Sequence, residues 1–460
     1  MRKNLKLVGL HSFALFFLGL VTTFLFGNPR VSYDGWQYIS SAKSLQDGSL
    51  AQNYFWVRQP GYPLLIDFSF SLYNSLWSLI FLQVFIFTSS FIFLIWQARS
   101  YFSSLPDSGF LYTTLVTYVF LLFFLGGYNL SVLPQSITSA FLMILTGVLL
   151  RFYRLFTFGK FGHNSKSFQL LTFPFLVVVG FSISPILSYL VLGLGMILIG
   201  YLTKGITWRD TFSNIRKIPF TYSFLLISFV LSIFSLFFVD FAWSSFSQKY
   251  ISSPDFNFNQ LRDPFWGTGL LDYFVNLKED PQLLHYIPAS LLSLLMLTPN
   301  TGWNGLVIEK PSSFHSQNAD VGFGLFSNNY PQCVELPGQV LAVNNVYLRD
   351  LELEKSCALT HFDLPQYLYL PILAVWFVLC VYWLYRILIY REFKLLVMSM
   401  VPIIYLIGYA LLGGGIDRYG SSIYSIVVIT MSLWFSSNWF LYQRAKVHIN
   451  ASTVSKGAAL

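Results

Sequence analysis

Leu76-Trp-Ser-Leu-Ile-Phe-Leu-Gln-Val-Phe-Ile-Phe-Thr-Ser-Ser-Phe-Ile-Phe-Leu-Ile-Trp-Gln-Ala98 contains no Asp, Glu, Lys or Arg. An α-helix rises about 1.5 Å per residue, so this run reaches about 34 Å, slightly more than the hydrocarbon core of a bilayer. Working outward, similar stretches lie near 5–26, 109–127, 132–151, 168–183, 186–202, 218–240, 367–390, 394–412 and 421–442. The sequence therefore predicts an all-α integral membrane protein of about ten spans. The break at Ser184-Pro185 leaves two short members that could form one broken hairpin. Two further apolar segments, 62–75 (interrupted by Asp67) and 286–299, are too short or too polar to cross and read as interfacial or re-entrant helices.

Composition agrees. Of 460 residues, 55% are hydrophobic and 10% charged, whereas a soluble domain carries about 25% charged residues to face water. The 48 phenylalanines suit a lipid-facing surface better than a compact aqueous core. Met1, Arg2, Lys3 and Lys6 precede an apolar run to Phe26. Cleaved signals usually have an apolar run of about 7–15 residues, and no small-residue cleavage site follows here, so the segment reads as an uncleaved first span.

A net charge of +8 could point to nucleic acid, but the positions of the charges argue against it. Lys and Arg near span ends stay cytoplasmic. With the N-terminus inside, the inner segments hold 18 of the 28 basic residues and, of the 20 acidic ones, only Asp107, Asp210 and Glu392. That leaves +15 inside and −7 outside, and no nucleic-acid partner is expected. The expected organisation is a transmembrane domain over 1–442, outer regions at 27–75 and 241–366, and a short cytoplasmic tail over 443–460. Cys333 and Cys357 fall in the second outer region, where an oxidising compartment would permit a disulfide and two free thiols are the alternative. Cys380 lies within a span.

The polar chemistry gathers in the first outer region. It reads Val31-Ser-Tyr-Asp34-Gly-Trp-Gln-Tyr38-Ile-Ser-Ser-Ala42-Lys-Ser-Leu45, then Arg58-Gln-Pro60-Gly-Tyr62-Pro63-Leu-Leu. Helical spacing from Asp34 puts Tyr38, Ala42 and Leu45 on one face. The plain alternative for Asp34 is a helix N-cap, accepting hydrogen bonds from exposed backbone N–H groups. Later, Leu133-Pro134-Gln135-Ser136 opens the fourth span, and Gly415-Ile-Asp417-Arg418-Tyr419 precedes the last.

An opening span, D-x-x-x-Y-x-x-x-A-x-x-L, R-x-P-G-Y-P-L-L and these two later segments together resemble the polyprenyl-phosphate-sugar-dependent glycosyltransferases of the GT-C fold. That superfamily includes the protein O-mannosyltransferases and the aminoarabinose transferases of lipid A. The motif match covers about 35 residues, with the architecture similar along most of the chain. The resemblance implies that Asp34 is catalytic, positioning or deprotonating the acceptor, and that Tyr38, Arg58, Tyr62, Asp67, Gln135, Arg418 and Tyr419 contact substrate. A lipid phosphate would leave, and the planar fork of Arg58 or Arg418 suits its oxygens. Ion pairs of these arginines with Asp417 or Asp67, or simple headgroup contact, are the alternatives. So are Gln135 as span packing and Asp67 on the wet side of an interfacial helix.

The implied partners are a polyprenyl-phosphate-linked sugar donor, a lipid, glycan or protein acceptor, and membrane lipids. The site would face the periplasm or outside of a bacterial inner membrane. Relatives often carry a second acidic residue after the Asp, where this chain has Gly35, and a Glu where it has Gln135. Both departures weaken a metal-bound or two-carboxylate mechanism. No cofactor is assigned, and a divalent metal stays open. His285, His315 and His361 are scattered, without metal-ligand spacing. A lipid-linked saccharide flippase and an O-antigen polymerase or ligase are competing expectations. A flippase would ordinarily show related halves, and the early Asp34 segment favours the transferase.

Overall fold

The computed structural model describes residues 2–25, 38, 39, 42, 60–73, 75–130, 132, 134–158, 164–202, 220–250, 378, 381–386, 393–411 and 417–457. The expected segment at 286–299, Cys333, Cys357, Cys380 and most of the expected eighth span, 367–390, lie outside the described residues. Among the described residues there are helices and no strands. They are α1 (Arg2–Leu25), α2 (Gly61–Leu72), α3 (Leu76–Ala98), α4 (Asp107–Leu130), α5 (Gln135–Phe158), α6 (Asn164–Ile183), α7 (Pro185–Leu202), α8 (Phe220–Tyr250), α9 (Phe393–Leu411) and α10 (Asp417–Gly457). By length and composition, three are apolar enough to cross a membrane over Leu76–Ala98, Gln135–Phe152 and Ser422–Arg444. Shorter apolar stretches recur in the others, from Val8–Thr23 to Met398–Gly408.

Several helices run past their expected ends, two of them by ten residues or more. Helix α8 continues to Tyr250 and α10 to Gly457, so the expected tail over 443–460 is largely a continuation of α10. Hydropathy marks where lipid ends, but a helix ends only where a breaker stands. There is no Pro or Gly in 241–250, nor between Ser421 and Lys456. The break at Ser184 is real: Pro185 opens α7, and Ser184 N–H still donates to Gly180 O at 2.8 Å.

Helix α5 forms the centre. Its apolar window is 89% buried, against 56% for α3 and 61% for α10. It packs against α3, α4, α6, α9 and α10. The outward faces are apolar instead of polar. Leu10, Phe13, Phe17 and Leu20 form an exposed stripe along α1, and Phe234, Phe237, Phe238 and Phe241 another on α8. Helices facing water would carry charge there. These surfaces fit a helical membrane protein.

Without water, packing and inter-helix hydrogen bonds hold such helices together. Ser139 Oγ and Ser425 Oγ meet at 2.7 Å between α5 and α10. Thr113 Oγ1 donates to Ser436 Oγ at 3.0 Å, and Ser104 pairs with Ser437, both toward the other end of α10. Helices α5 and α10 therefore run parallel, and α4 runs against them. The α3–α4 turn is tied by Arg99, whose guanidinium donates to Phe102 O at 2.9 Å, Leu105 O at 3.0 Å and Asp107 Oδ1 at 2.8 Å.

Helix α1 crosses α3 and α4 at Gly19. A Cβ there would stand 2.6 Å from Tyr118 Oη and 3.2 Å from Val84 Cγ1. The Tyr118 hydroxyl is held by Thr88 Oγ1 at 2.5 Å and cannot withdraw without losing that bond. Gly19→Ala should cost about 1–3 kcal/mol, the usual penalty for overpacking. Gly193→Ala, where nothing lies within 4 Å, should be neutral. Thermal unfolding of the purified proteins in detergent checks both, and equal melting temperatures would refute close contact at Gly19.

Candidate functional site

The end of the bundle where α5 and α10 begin is called the upper end below. Helix α2 starts there at Pro60-Gly61. A Cβ on Gly61 would lie 2.5 Å from Ser182 O, so only glycine lets the start of α2 sit on the last turn of α6. The next residue, Tyr62, is 1% exposed. Its hydroxyl donates to Gln83 Oε1 of α3 at 2.7 Å, and its ring meets Tyr38 edge-on at 5.0 Å. Burial pushes the Tyr62 phenol well above the usual tyrosine range, with Tyr38 adding to the effect. Tyr62 is therefore a neutral donor at any physiological pH.

Around this pair sits a small apolar cluster distinct from the main core. Ile39, Ala42, Tyr62, Ile66, Phe70, Leu76, Leu79, Val132 and Ile137 are buried together, with Tyr38 and Ile183 packed against them. The helical face through Tyr38 and Ala42 thus meets the start of α2, the α4–α5 junction and the end of α6. Helix α2 turns Tyr62, Pro63, Ile66, Ser69 and Phe70 inward. Leu64, Phe68 and Leu72 face outward, and Asp67 sits half-buried between the two faces.

Gln135 is the first residue of α5 and 5% exposed. Its Oε1 is buried without a hydrogen-bond partner among the described residues. Arg418 and Tyr419 lie in the first turn of α10, at the same end, with their side chains outside the described residues. Asp34, Arg58 and Leu45 also lie outside the described residues. Of the expected site residues, the structure brings Tyr38 and Tyr62 into contact, and it gathers Asp67, Gln135 and the Arg418 turn at the same end of the bundle. Among the described residues, no group of three or more His, Cys, Asp or Glu could hold a metal ion.

Sequence reasoning missed Gln83, Ser139 and Ser425. Gln83 carried a usable signal: an amide in the middle of an apolar helix is costly unless partnered. The serines carried little, because in lipid a serine can satisfy itself on its own helix, as Ser90 Oγ does on Ile86 O.

In class, then, the chain is a helical, membrane-associated protein. Compared with known protein families, curated proteins and solved structures, it matches none.

Tyr62→Phe would remove a buried hydrogen bond to Gln83 Oε1, so it should cost about 1 kcal/mol. Gln83→Leu removes the same bond from the other side. A double-mutant cycle of unfolding free energies in detergent measures the coupling, and a coupling near zero would dismiss the bond.

Proposed function

We propose that this protein is a membrane glycosyltransferase of about ten spans and GT-C-like architecture. It moves a sugar from a polyprenyl-phosphate donor to an acceptor on the non-cytoplasmic face. The observation that carries this reading is the convergence at one end of the bundle. Four segments far apart in sequence share that end: Tyr38 with Ala42, Gly61-Tyr62, Pro134-Gln135-Ser136, and Asp417-Arg418-Tyr419. These are the segments whose residues resemble the transferases.

Covalent reach supports the roles of two further residues. Four residues tether Asp34 to Tyr38, at most about 14 Å of extended chain, and two tether Arg58 to Pro60, at most about 7 Å. Asp34 is the general base or positioning group for the acceptor hydroxyl or amine. Arg58 and Arg418 neutralise the prenyl phosphate as its bond to the sugar breaks. The charge bias of the loops favours an upper end outside the cytoplasm of a bacterial inner membrane.

Asp34→Asn should lower sugar transfer by about 10²–10⁴-fold while leaving membrane insertion and melting temperature unchanged. The assay uses the purified chain, a radiolabelled polyprenyl-phosphate sugar and envelope extract as acceptor. Wild-type rates in that variant would end the catalytic role of Asp34. Arg58→Ala and Arg418→Ala should weaken donor binding about tenfold each. Unchanged donor affinity in both would return them to surface ion pairs.

A further inference from the structure

Buried polar atoms without hydrogen-bond partners are rare in folded proteins, and each calls for an explanation. Among the described residues, three such atoms stand at the upper end: Gln135 Oε1 at the start of α5, Ser184 Oγ at the α6–α7 break, and Ser422 Oγ near the start of α10. The 2.7 Å contact between Ser139 and Ser425 fixes the register of α5 against α10. Gln135 lies four residues before Ser139 and Ser422 three before Ser425, so both stand one turn nearer the upper end on the facing sides of parallel helices. Gln135 and Ser422 are 5% and 1% exposed, and Ser136 beside them is 3% exposed. One more turn outward on the same face of α10 is the position of Arg418.

We propose that the mouth of the α5–α10 seam is a subsite for an uncharged, hydroxyl-rich group, a carbohydrate ring, bound by the Gln135 amide and the Ser422 hydroxyl. An amide offers one acceptor and two donors, and a serine hydroxyl one donor and two acceptors. Such a pair matches sugar hydroxyls, which both give and take hydrogen bonds. A carboxylate at Gln135 would instead select a cation or an amine. Gln135 and Ser422 carry no charge, so the subsite discriminates by hydroxyl geometry. The placement rests on the transferase reading only in making that ring part of a lipid-linked donor. Charge handling then belongs to Arg418, a turn further out, and sugar recognition to the seam.

The test titrates the full chain in lipid nanodiscs with hexyl β-D-glucoside, using hexanol and hexyl phosphate as controls, and follows melting temperature. The glucoside should raise the melting temperature where hexanol does not. Gln135→Leu and Ser422→Ala should each weaken glucoside binding about tenfold. Neither should lower the melting temperature of the ligand-free protein, since neither breaks a bond among the described residues. If Gln135→Leu fails to fold, Ser422→Ala and Gln135→Asn carry the test. Glucoside binding no better than hexanol would mean the seam holds only a resident water, and the proposal falls. Wild-type glucoside affinity in both variants overturns it equally. A chain that binds glucoside through Gln135 but transfers no sugar overturns the transferase reading alone. Sugar transfer undiminished by Gln135→Leu and Ser422→Ala overturns the seam alone.

Discussion

Everything in this bundle leans on α5, an apolar helix covered on nearly every side by other helices. A helix in that position has no lipid to face and no water to meet, so its polar groups must find partners on its neighbours or on itself. Thr146 Oγ1 returns to Leu142 O at 2.9 Å, and Ser139 reaches across to Ser425. Small residues allow the close approach. A Cβ on Gly147 would stand 2.6 Å from the Phe93 ring, so α3 can press flat against α5 only because that side chain is absent. With α5 fixed by α3 on one side and α10 on another, the starts of α5 and α10 are held level. That levelling brings the fourth-span and last-span segments to one end.

The two ends of the bundle are built on different chemistry. The lower end is cationic and aromatic. Arg386 lies 4.6 Å over the Trp434 ring, Arg444 lies 4.6 Å over Phe440, and Arg154 donates to Gln97 Oε1 at 3.4 Å. Arginines lying on aromatic faces near the ends of apolar helices match the composition of a membrane–water boundary. At the upper end neutral groups are buried or half-buried, among them two tyrosines, two glutamines and several serines, with Asp67 half-buried and Asp417 and Arg418 in the first turn of α10. The separation follows from solvation. Charge is tolerated where headgroups and water reach it, whereas neutral donors and acceptors can be buried if something completes their bonds.

The architecture was largely legible in the sequence because hydrocarbon imposes a simple rule, long apolar runs without charge. Runs such as 76–98 and 168–183 correspond to α3 and α6, and the Ser184-Pro185 break appears where proline forces it. Helix ends were less legible, since α8 and α10 continue through polar residues that favour neither helix nor coil. The count of about ten spans is an inference from sequence, with three helices meeting the length and composition test among the described residues. At the candidate site, the Tyr38–Ala42 face could be read from spacing alone. The Tyr62–Gln83 bond could not, because it joins residues whose proximity depends on how α2 folds back over α3.

That fold-back of α2 has a physical logic of its own. Twelve residues give about 18 Å of helix, too little to cross a bilayer. One face, through Tyr62, Ile66 and Phe70, is packed on the bundle, while Leu64, Phe68 and Leu72, spaced four residues apart, are 51%, 53% and 66% exposed on the other. A helix apolar on both faces is stable only between protein and another apolar medium. Water on the outward face would leave three large side chains solvated with no compensating contact. Lipid on that face would remove the cost. The exposed stripe of α2 thus fits a membrane-associated surface, behind which the Tyr62–Gln83 pair is buried.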